Sequence, residues 1–504
     1  MSDDGVQVPY RGVSRRRAIQ LGAVGLAALA GGAGELLAHE FDRRSAEPLT
    51  VDQWARSRGE HFLVAHRGSG DVLPEHSMAA YRAAVGWGAR CMEVSVDITS
   101  DGVLVCMHDL SYDRTTTGHG LVSAQPSSVL SGTGILQPQL GPVWTRSPLP
   151  RVPLLEDVLT TFGHRLVLCL EAKDDAAYEP MMAMVERLGL RRQVIVKAYR
   201  TSKRIEQAKR AGYPVFAYLA ARDLAPTTVA ALAARLDPRV DCLVLPATTD
   251  GDLNRLPDRL VREAVAHGVA VWVYPVHRRS EAAHYFALGV RGAVCSSYGY
   301  VAGAVAPRAT DTWAGKAIAP GEMTRRPADP TIAARWTGTN ELLLAVKGRQ
   351  HFLTLGQLSP IPTAGSSYRV EFEACWRHLP DDLASNLTLA FGHDDDEYYE
   401  HHLGTATGYH ALSRPDGRLE LFTHTAGNSM GTLLGSARGP AAVQGQWMQF
   451  RLDVSPLGVT WTRLDRGGHS VSARSSGPRG GYLHLGRSAV DKHAELALRH
   501  VRVS

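Results

Sequence analysis

The stretch CMEVSVDITSDGVLVCMHD, residues 91–109, holds two apolar runs joined by the turn Thr99-Ser100-Asp101-Gly102. Near-continuous apolar runs of this length are what parallel strands covered on both faces look like. The turn leaves no room for a helix, so a parallel crossover cannot fit between these two runs. Yet both belong to a longer series. Apolar runs at 62–65, 166–170, 194–196, 215–219, 242–245, 269–274 and 293–295 continue it. Amphipathic stretches at 78–87, 178–188, 203–211, 258–267 and 281–288 fall between most of them. Gly189, Gly212, Gly268 and Gly289 close four of those stretches, as helix C-termini favour. Repeated βα units predict an α/β fold, a (β/α)8 TIM barrel over 51–305. Nine runs compete for eight places, so the barrel is expected to be distorted at Asp101-Gly102. Residues 111–153, rich in Gly, Ser, Thr and Pro, read as a long insertion over one end of the barrel.

Polar residues stand at the ends of these runs. His66-Arg67-Gly68 follows the first, Met107-His108-Asp109 closes the run after the turn, and Leu170-Glu171-Ala172-Lys173 closes another. Strand C-termini of a barrel converge on one face, so His66, Glu93, His108 and Glu171 are expected at one mouth. Phosphodiester cleavage needs a base, an acid and positive charge on the non-bridging oxygens. Histidine exchanges protons near neutral pH. Arg67 and Lys173 supply charge for a phosphate. Glu93 lies in an apolar run, where a carboxylate is costly to bury alone, so it calls for a metal or another cation. Glu171 with Lys173, and Glu75 with Arg67, also read as plain ion pairs. His119, His164 and His267 read as surface residues.

Together these segments resemble the glycerophosphodiester phosphodiesterase family across residues 61–300. The resemblance is carried by His66-Arg67-Gly68, Pro74-Glu75-His76-Ser77, Gly88-Ala89, Glu93, the run from Thr99 through Asp101-Gly102 and Val105 to His108-Asp109, Arg114-Thr115-Thr116, and Glu171 with Lys173. It implies a TIM barrel of the phospholipase-C-like phosphodiesterase type, hydrolysing glycerophosphodiesters to glycerol 3-phosphate and an alcohol. It implies His66 and His108 as catalytic residues. Arg67, Lys173 and Tyr274 are carried over as phosphate or substrate ligands, and Glu93, Glu171 and Ser95 as ligands of Ca2+ or Mg2+. Three departures bear on that last set. Ser95 stands where the family has Asp. His76 stands where Asn is common. The late segments read Tyr274-Pro275-Val276-His277 and Cys295-Ser296. Asp97 shares the Glu93 face and substitutes only if its strand runs straight.

After a Pro/Ala/Arg-rich linker at 306–335 the pattern changes. Residues 336–504 carry short strand-like runs at 368–376, 387–391, 397–403, 419–425, 447–454, 459–464, 469–473 and 496–503, with almost no helical spacing. They predict an all-β jelly-roll sandwich, similar to the concanavalin and laminin-G proteins. Asp394-Asp395-Asp396-Glu397 reads as a solvated turn or a Ca2+ site. Trp376, Trp461, Tyr398 and Tyr399 read as core or as sugar-stacking rings. A glycan or cell-wall ligand is the expected partner of this part.

The N-terminal 1–40 contain Ser14-Arg15-Arg16-Arg17 ahead of a mild apolar run to Gly34. That is too short for a membrane span and reads as a twin-arginine export signal, hence a secreted protein. Six cysteines without metal spacing read as small core residues, with a Cys91–Cys106 bridge as the alternative. A net charge of +5 without a basic stripe argues against nucleic acid. The expected substrate is a small glycerophosphodiester or a polymeric glycerol phosphate such as teichoic acid. Rival readings are a lyase or lysophospholipase-D-type enzyme forming a cyclic phosphate, and a barrel silenced by Ser95 that serves the sandwich.

Overall fold

The computed structural model describes residues 49–303, 333–337, 341–345, 351–354, 367–393, 407–425, 431–488 and 493–504, apart from 72, 138–139, 141–143, 145–146 and 250–254. The export-signal residues, the run 397–403, Asp394–Glu397, Tyr398 and Tyr399 lie outside the described residues.

Eight parallel strands close into a barrel: β1 (Phe62–His66), β2 (Cys91–Ile98), β4 (Val167–Ala172), β5 (Val194–Tyr199), β6 (Val215–Tyr218), β7 (Cys242–Pro246), β8 (Ala270–Val276) and β9 (Gly292–Cys295), with β1 pairing to both β2 and β9. The ninth strand, β3 (Leu104–Cys106), is antiparallel to β2, with Val96 opposite Cys106. This is the distortion that the short turn predicts. Strand β2 runs on past the barrel rim and β3 folds back, carrying Met107 and His108 down toward the level of Ser95 and Glu93. His108 therefore reaches the mouth on a hairpin, not on a barrel strand as its apolar run suggests.

Helices α1 (Val51–Ser57), α2 (Met78–Gly86), α3 (Leu155–Phe162), α4 (Asp175–Arg187), α5 (Arg204–Arg210), α6 (Pro226–Ala233), α7 (Asp258–Ala266), α8 (Arg279–Ala287) and α9 (Tyr298–Val301) accompany the strands. The sequence pattern misses α3, which is short and lacks a side-chain cap, and α6, whose alanines blur the polar face. Gly189, Gly212, Gly268 and Gly289 all take positive φ at helix ends. The described residues of the 111–153 insertion hold two 3-10 turns, Val122–Ala124 and Ser127–Gly132, and isolated bridges around Tyr112, Val122, Ile135 and Val152.

Strand alternation sorts the barrel interior. Val64, Cys91, Val167, Cys169, Ile195, Phe216, Val244, Trp272 and Val294 fill it with apolar side chains. Two residues further along their strands, the same inward parity gives His66, Glu93, Glu171, Lys197, Tyr218, Tyr274 and Ser296. A polar layer thus lies directly on an apolar plug. All six cysteines are free and buried, and Cys91 Sγ sits 3.7 Å from Cys169 Sγ, so the Cys91–Cys106 bridge does not form.

The later residues form two antiparallel sheets. One has the order β10 (Ala333–Thr337), β11 (Glu341–Ala345), β22 (Glu495–Val503), β13 (Tyr368–His378), β18 (Met448–Ser455), β19 (Gly458–Arg463), β20 (His469–Arg474). The other has the order β12 (His351–Thr354), β21 (Gly480–Ser488), β14 (Asn386–Gly392), β15 (Gly408–Ser413), β16 (Arg418–His424), β17 (Thr432–Arg438). Val370, Phe372, Phe450 and Leu452 of the first share one apolar core with Leu389, Phe391, Leu421 and Leu485 of the second. Trp376 and Trp461 are buried in that core, and Trp461 donates its indole N–H across it to the Leu412 carbonyl at 3.0 Å. Neither is placed to stack on a sugar. Among the described residues no helix is long and apolar enough to cross a membrane.

Strand alternation puts His410, His424 and His484 on the opposite face of the second sheet, and His393 follows β14; all four are buried. Burial, with the neighbouring His424, lowers His393 to about 4. Below the unfolded value of about 6.5, the unfolded chain binds a proton that the folded one refuses. Stability should therefore fall as pH drops from about 6.5 toward 4, by up to about 1.4 kcal/mol per pH unit for each such histidine. Thermal unfolding across that range checks this, and His393→Phe should flatten the slope.

Candidate active site

The loop after β1 is built for close approach. Arg67, Gly68 and Ser69 have φ of 52°, 77° and 80°. Ser69 N–H and Gly70 N–H both return to the His66 carbonyl, and His76 N–H to the Arg67 carbonyl. A Cβ on Gly68 would stand 2.8 Å from Tyr81 and 2.9 Å from the backbone of Ala80. Only glycine satisfies both the φ and the space.

His66 is buried, and its Nδ1 shares a 2.7 Å hydrogen bond with Ser296 Oγ. Burial, then the Arg67 charge, holds it well below its usual value. His108 donates from Nδ1 to Asp109 Oδ1 at 2.7 Å, while its Nε2 accepts from Lys173 Nζ at 3.4 Å. Burial and Arg67 lower it to about 4, against the pull of Asp109. Each ring is thus anchored through Nδ1. A chain of ion pairs links the two histidine segments: Arg67 to Glu75 at 3.0 Å, Glu75 to Arg114 at 2.7 Å, and Arg114 to Asp109.

Glu93 and Glu171 meet as expected, but around a residue the sequence reading passed over. Lys197 Nζ lies 2.8 Å from Glu93 Oε1 and 2.8 Å from Glu171 Oε2. The second is an ion contact whose angle falls outside hydrogen-bond geometry. Lysine and carboxylates are all at least 95% buried. Burial opposes ionisation of Glu93, yet Lys197 beside it keeps its carboxyl well below the usual range. Glu171 is likewise held at about 2 by Lys197 and Lys173 despite its burial. Breaking such a pair leaves an uncompensated buried charge at about 3–5 kcal/mol. The sequence carried a signal: Glu93 demanded a cation, and Lys197 interrupts the apolar run 194–196. Ending that strand at Val196 hid it, whereas β5 continues to Tyr199.

The sequence placed Ca2+ or Mg2+ on Glu93, Glu171 and Ser95. The donor set does not fit one. Ser95 donates its hydroxyl to Glu93 Oε1 at 3.1 Å. Glu93 Oε2 accepts from Arg67 N–H at 3.3 Å, and Glu171 Oε1 accepts from the Tyr218 hydroxyl at 2.6 Å. Waters and substrate oxygens complete the shell of a hard cation, but it still needs free carboxylate oxygens facing it, and here Lys197 and the other protein donors already occupy them. Asp97 does not take over: its Oδ1 accepts from Ile98 N–H, further along the strand. Among the described residues no group of three or more His, Cys, Asp or Glu is placed to hold a metal.

Lys173 Nζ stands 3.4 Å from Glu171 Oε1, so it joins both the carboxylate and His108. Tyr274 lines the layer, with its ring on Tyr218 and its hydroxyl donated to the Leu219 carbonyl. His277 pairs with Asp71 at 2.5 Å, which lifts it to about 9 against its burial. His119, His164 and His267 are exposed, as expected.

Residues 66–296 match the Glycerophosphoryl diester phosphodiesterase family. The chain is 54% identical over 65 residues to a probable glycerophosphodiester phosphodiesterase 1 of Mycobacterium tuberculosis, 13% of this chain and 24% of that protein. That stretch spans only about a quarter of the relative's length. The chain is 30% identical over 204 residues to a probable glycerophosphodiester phosphodiesterase 2 of Mycobacterium tuberculosis, 38% of this chain and 71% of that one. With a glycerophosphodiester phosphodiesterase of Bacillus subtilis it shares 27% over 246 residues, 46% and 82% of the two chains. Among solved structures, a glycerophosphodiester phosphodiesterase of Agrobacterium tumefaciens is 22% identical over 48% of this chain and 99% of that one, with a TM-score of 0.38.

Gly68→Ala should lower stability by about 1–3 kcal/mol, through overpacking and the forced positive φ. Denaturant unfolding beside a control Gly88→Ala, which has positive φ but open space, separates the two contributions.

Proposed function

This chain belongs to the glycerophosphoryl diester phosphodiesterase family, and we propose that it hydrolyses glycerophosphodiesters to glycerol 3-phosphate and an alcohol, with His66 and His108 as base and acid. One observation carries this reading. Both imidazoles are tied by Nδ1, to Ser296 and Asp109, which aims Nε2 of each away from its anchor, with Lys173 Nζ 3.4 Å from that of His108 where a phosphate oxygen would draw it. Arg67 and Lys173 flank them.

His66 Nε2 takes a proton from water as the water oxygen bonds to phosphorus. The bond from phosphorus to the alcohol oxygen breaks. Once the bound phosphate has drawn the Lys173 ammonium off His108 Nε2, that nitrogen enters the step protonated and gives its proton to the leaving oxygen. Burial and Arg67 hold His108 low. A bound phosphodiester monoanion offsets that cationic neighbour and favours the charged ring. Asp109 fixes the tautomer and stabilises the imidazolium, as carboxylate partners of catalytic histidines do. Arg67 and Lys173 meet the charge that builds on the non-bridging oxygens. No step passes through a divalent cation, because Glu93, Glu171 and Ser95 do not offer one a site.

We assign residues 51–305 to the catalytic barrel, 306–335 to a linker and 336–504 to a non-catalytic accessory unit of the jelly-roll, concanavalin-like kind. The shared core of the two antiparallel sheets supports that last assignment. A glycan or cell-wall polymer is the proposed ligand, since tethering would raise the local concentration of a surface substrate. The arginine-rich leader supports export through a twin-arginine route, and six free buried thiols suit a chain that folds without disulfides.

His66→Ala and His108→Ala should each lower kcat on glycerophosphocholine by about 10²-fold or more with the far-UV spectrum unchanged. Asp109→Asn should fall between them and the parent. Release of glycerol 3-phosphate within tenfold of the parent rate by both alanine variants would sink the assignment.

A further inference from the structure

We propose that the buried ammonium of Lys197 stands where this family resemblance would put a divalent cation, so that the protein cleaves its phosphodiester without a metal ion. The inference rests on the proposed hydrolysis for its activity arm only.

The position is built for an ammonium. Lys197 Nζ touches the facing oxygens of Glu93 and Glu171 at 2.8 Å each. Aromatic rings enclose it on other sides, with the centroids of Tyr218, Phe216 and Tyr274 at 4.9, 5.7 and 5.9 Å. Ring faces attract an ammonium, but they offer no oxygen lone pairs to a hard cation. The third ligand position is neutral, since Ser95 spends its proton on Glu93. An aspartate there would bring a third negative charge to one lysine.

Charge balance agrees. Arg67, Arg114, Lys173 and Lys197 are four cations in the linked network, and Glu75, Glu93, Asp109 and Glu171 are four carboxylates. The network is neutral as it stands. A divalent ion would either add two uncompensated charges to a buried layer or have to expel Lys197 from between its two carboxylates. The serine at position 95 and the lysine at 197 are therefore two halves of one exchange. The role of Lys197 is positional: it fixes Glu93, which receives the Arg67 N–H, and Glu171, which holds Lys173.

The test is isothermal titration calorimetry of the full chain with Ca2+, Mg2+ and Mn2+ after exhaustive chelation, together with glycerophosphocholine turnover in EDTA. Wild type and Glu93→Gln should give the same isotherm with each of the three ions, which shows no binding at the barrel mouth, and the wild-type rate in EDTA should stay within twofold of the rate with each ion restored. Ser95→Asp combined with Lys197→Ser should gain one equivalent of a divalent ion. One equivalent bound by the wild type and lost in Glu93→Gln, or loss of activity in EDTA that an added ion restores, would overturn the proposal. A folded double variant that binds no ion would overturn it as well. Lys197→Met leaves the buried Glu93 without its ammonium and is the variant most exposed to misfolding, so calorimetry on wild type carries the decision. Calorimetry also reads the ion site whether or not the diester is the right one, so an inactive protein that binds no metal counts against the hydrolysis alone.

Discussion

The barrel mouth is organised by one buried contact set, Lys197 between Glu93 and Glu171. Three strands converge there: β2 brings Glu93, β4 brings Glu171 and β5 brings Lys197. None of the three side chains is stable in a dry interior alone. Together they let ionised groups sit directly above an apolar plug. The rest of the site hangs from them. Glu93 receives the backbone N–H of Arg67, just after His66, and Glu171 holds Lys173, which reaches His108. The two imidazoles are thus referenced to the same lysine through separate carboxylates.

Much of this was legible in the chain. The alternation of apolar runs with helical stretches announced the barrel, and the four-residue turn at Thr99–Gly102 announced its irregularity. His66, Glu93, His108 and Glu171 were recognisable because each interrupts or ends an apolar run. The path of His108 was not legible, because an antiparallel return and a parallel strand have the same local composition. Lys197 was missed for a related reason. A charged residue after three apolar ones looks like a strand end, and only the register of β5 against β6, with Lys197 opposite Phe216, shows the strand continuing.

The second half teaches a different lesson. Strand runs were readable wherever core residues alternate, as in 368–376 and 447–454. The strand Gly408–Ser413 was not, since Gly-Tyr-His-Ala-Leu-Ser mixes small, polar and apolar residues without a run that stands out. His410 is buried on the far face of its sheet. A polar residue at an alternating position says which face it takes, and leaves open whether that face is wet.

The apolar plug beneath the polar layer has one more consequence. Cys91, Ile195, Phe216 and Trp272 seal the barrel from below, so the pocket is a cup with a closed floor. On the proposed hydrolysis nothing enters or leaves through that floor. On that reading traffic at the mouth is sequential: a phosphorylated fragment held by the arginine and lysine assigned to the diester must depart before the next molecule is admitted. An enzyme of this shape is governed as much by what lingers in it as by what it breaks.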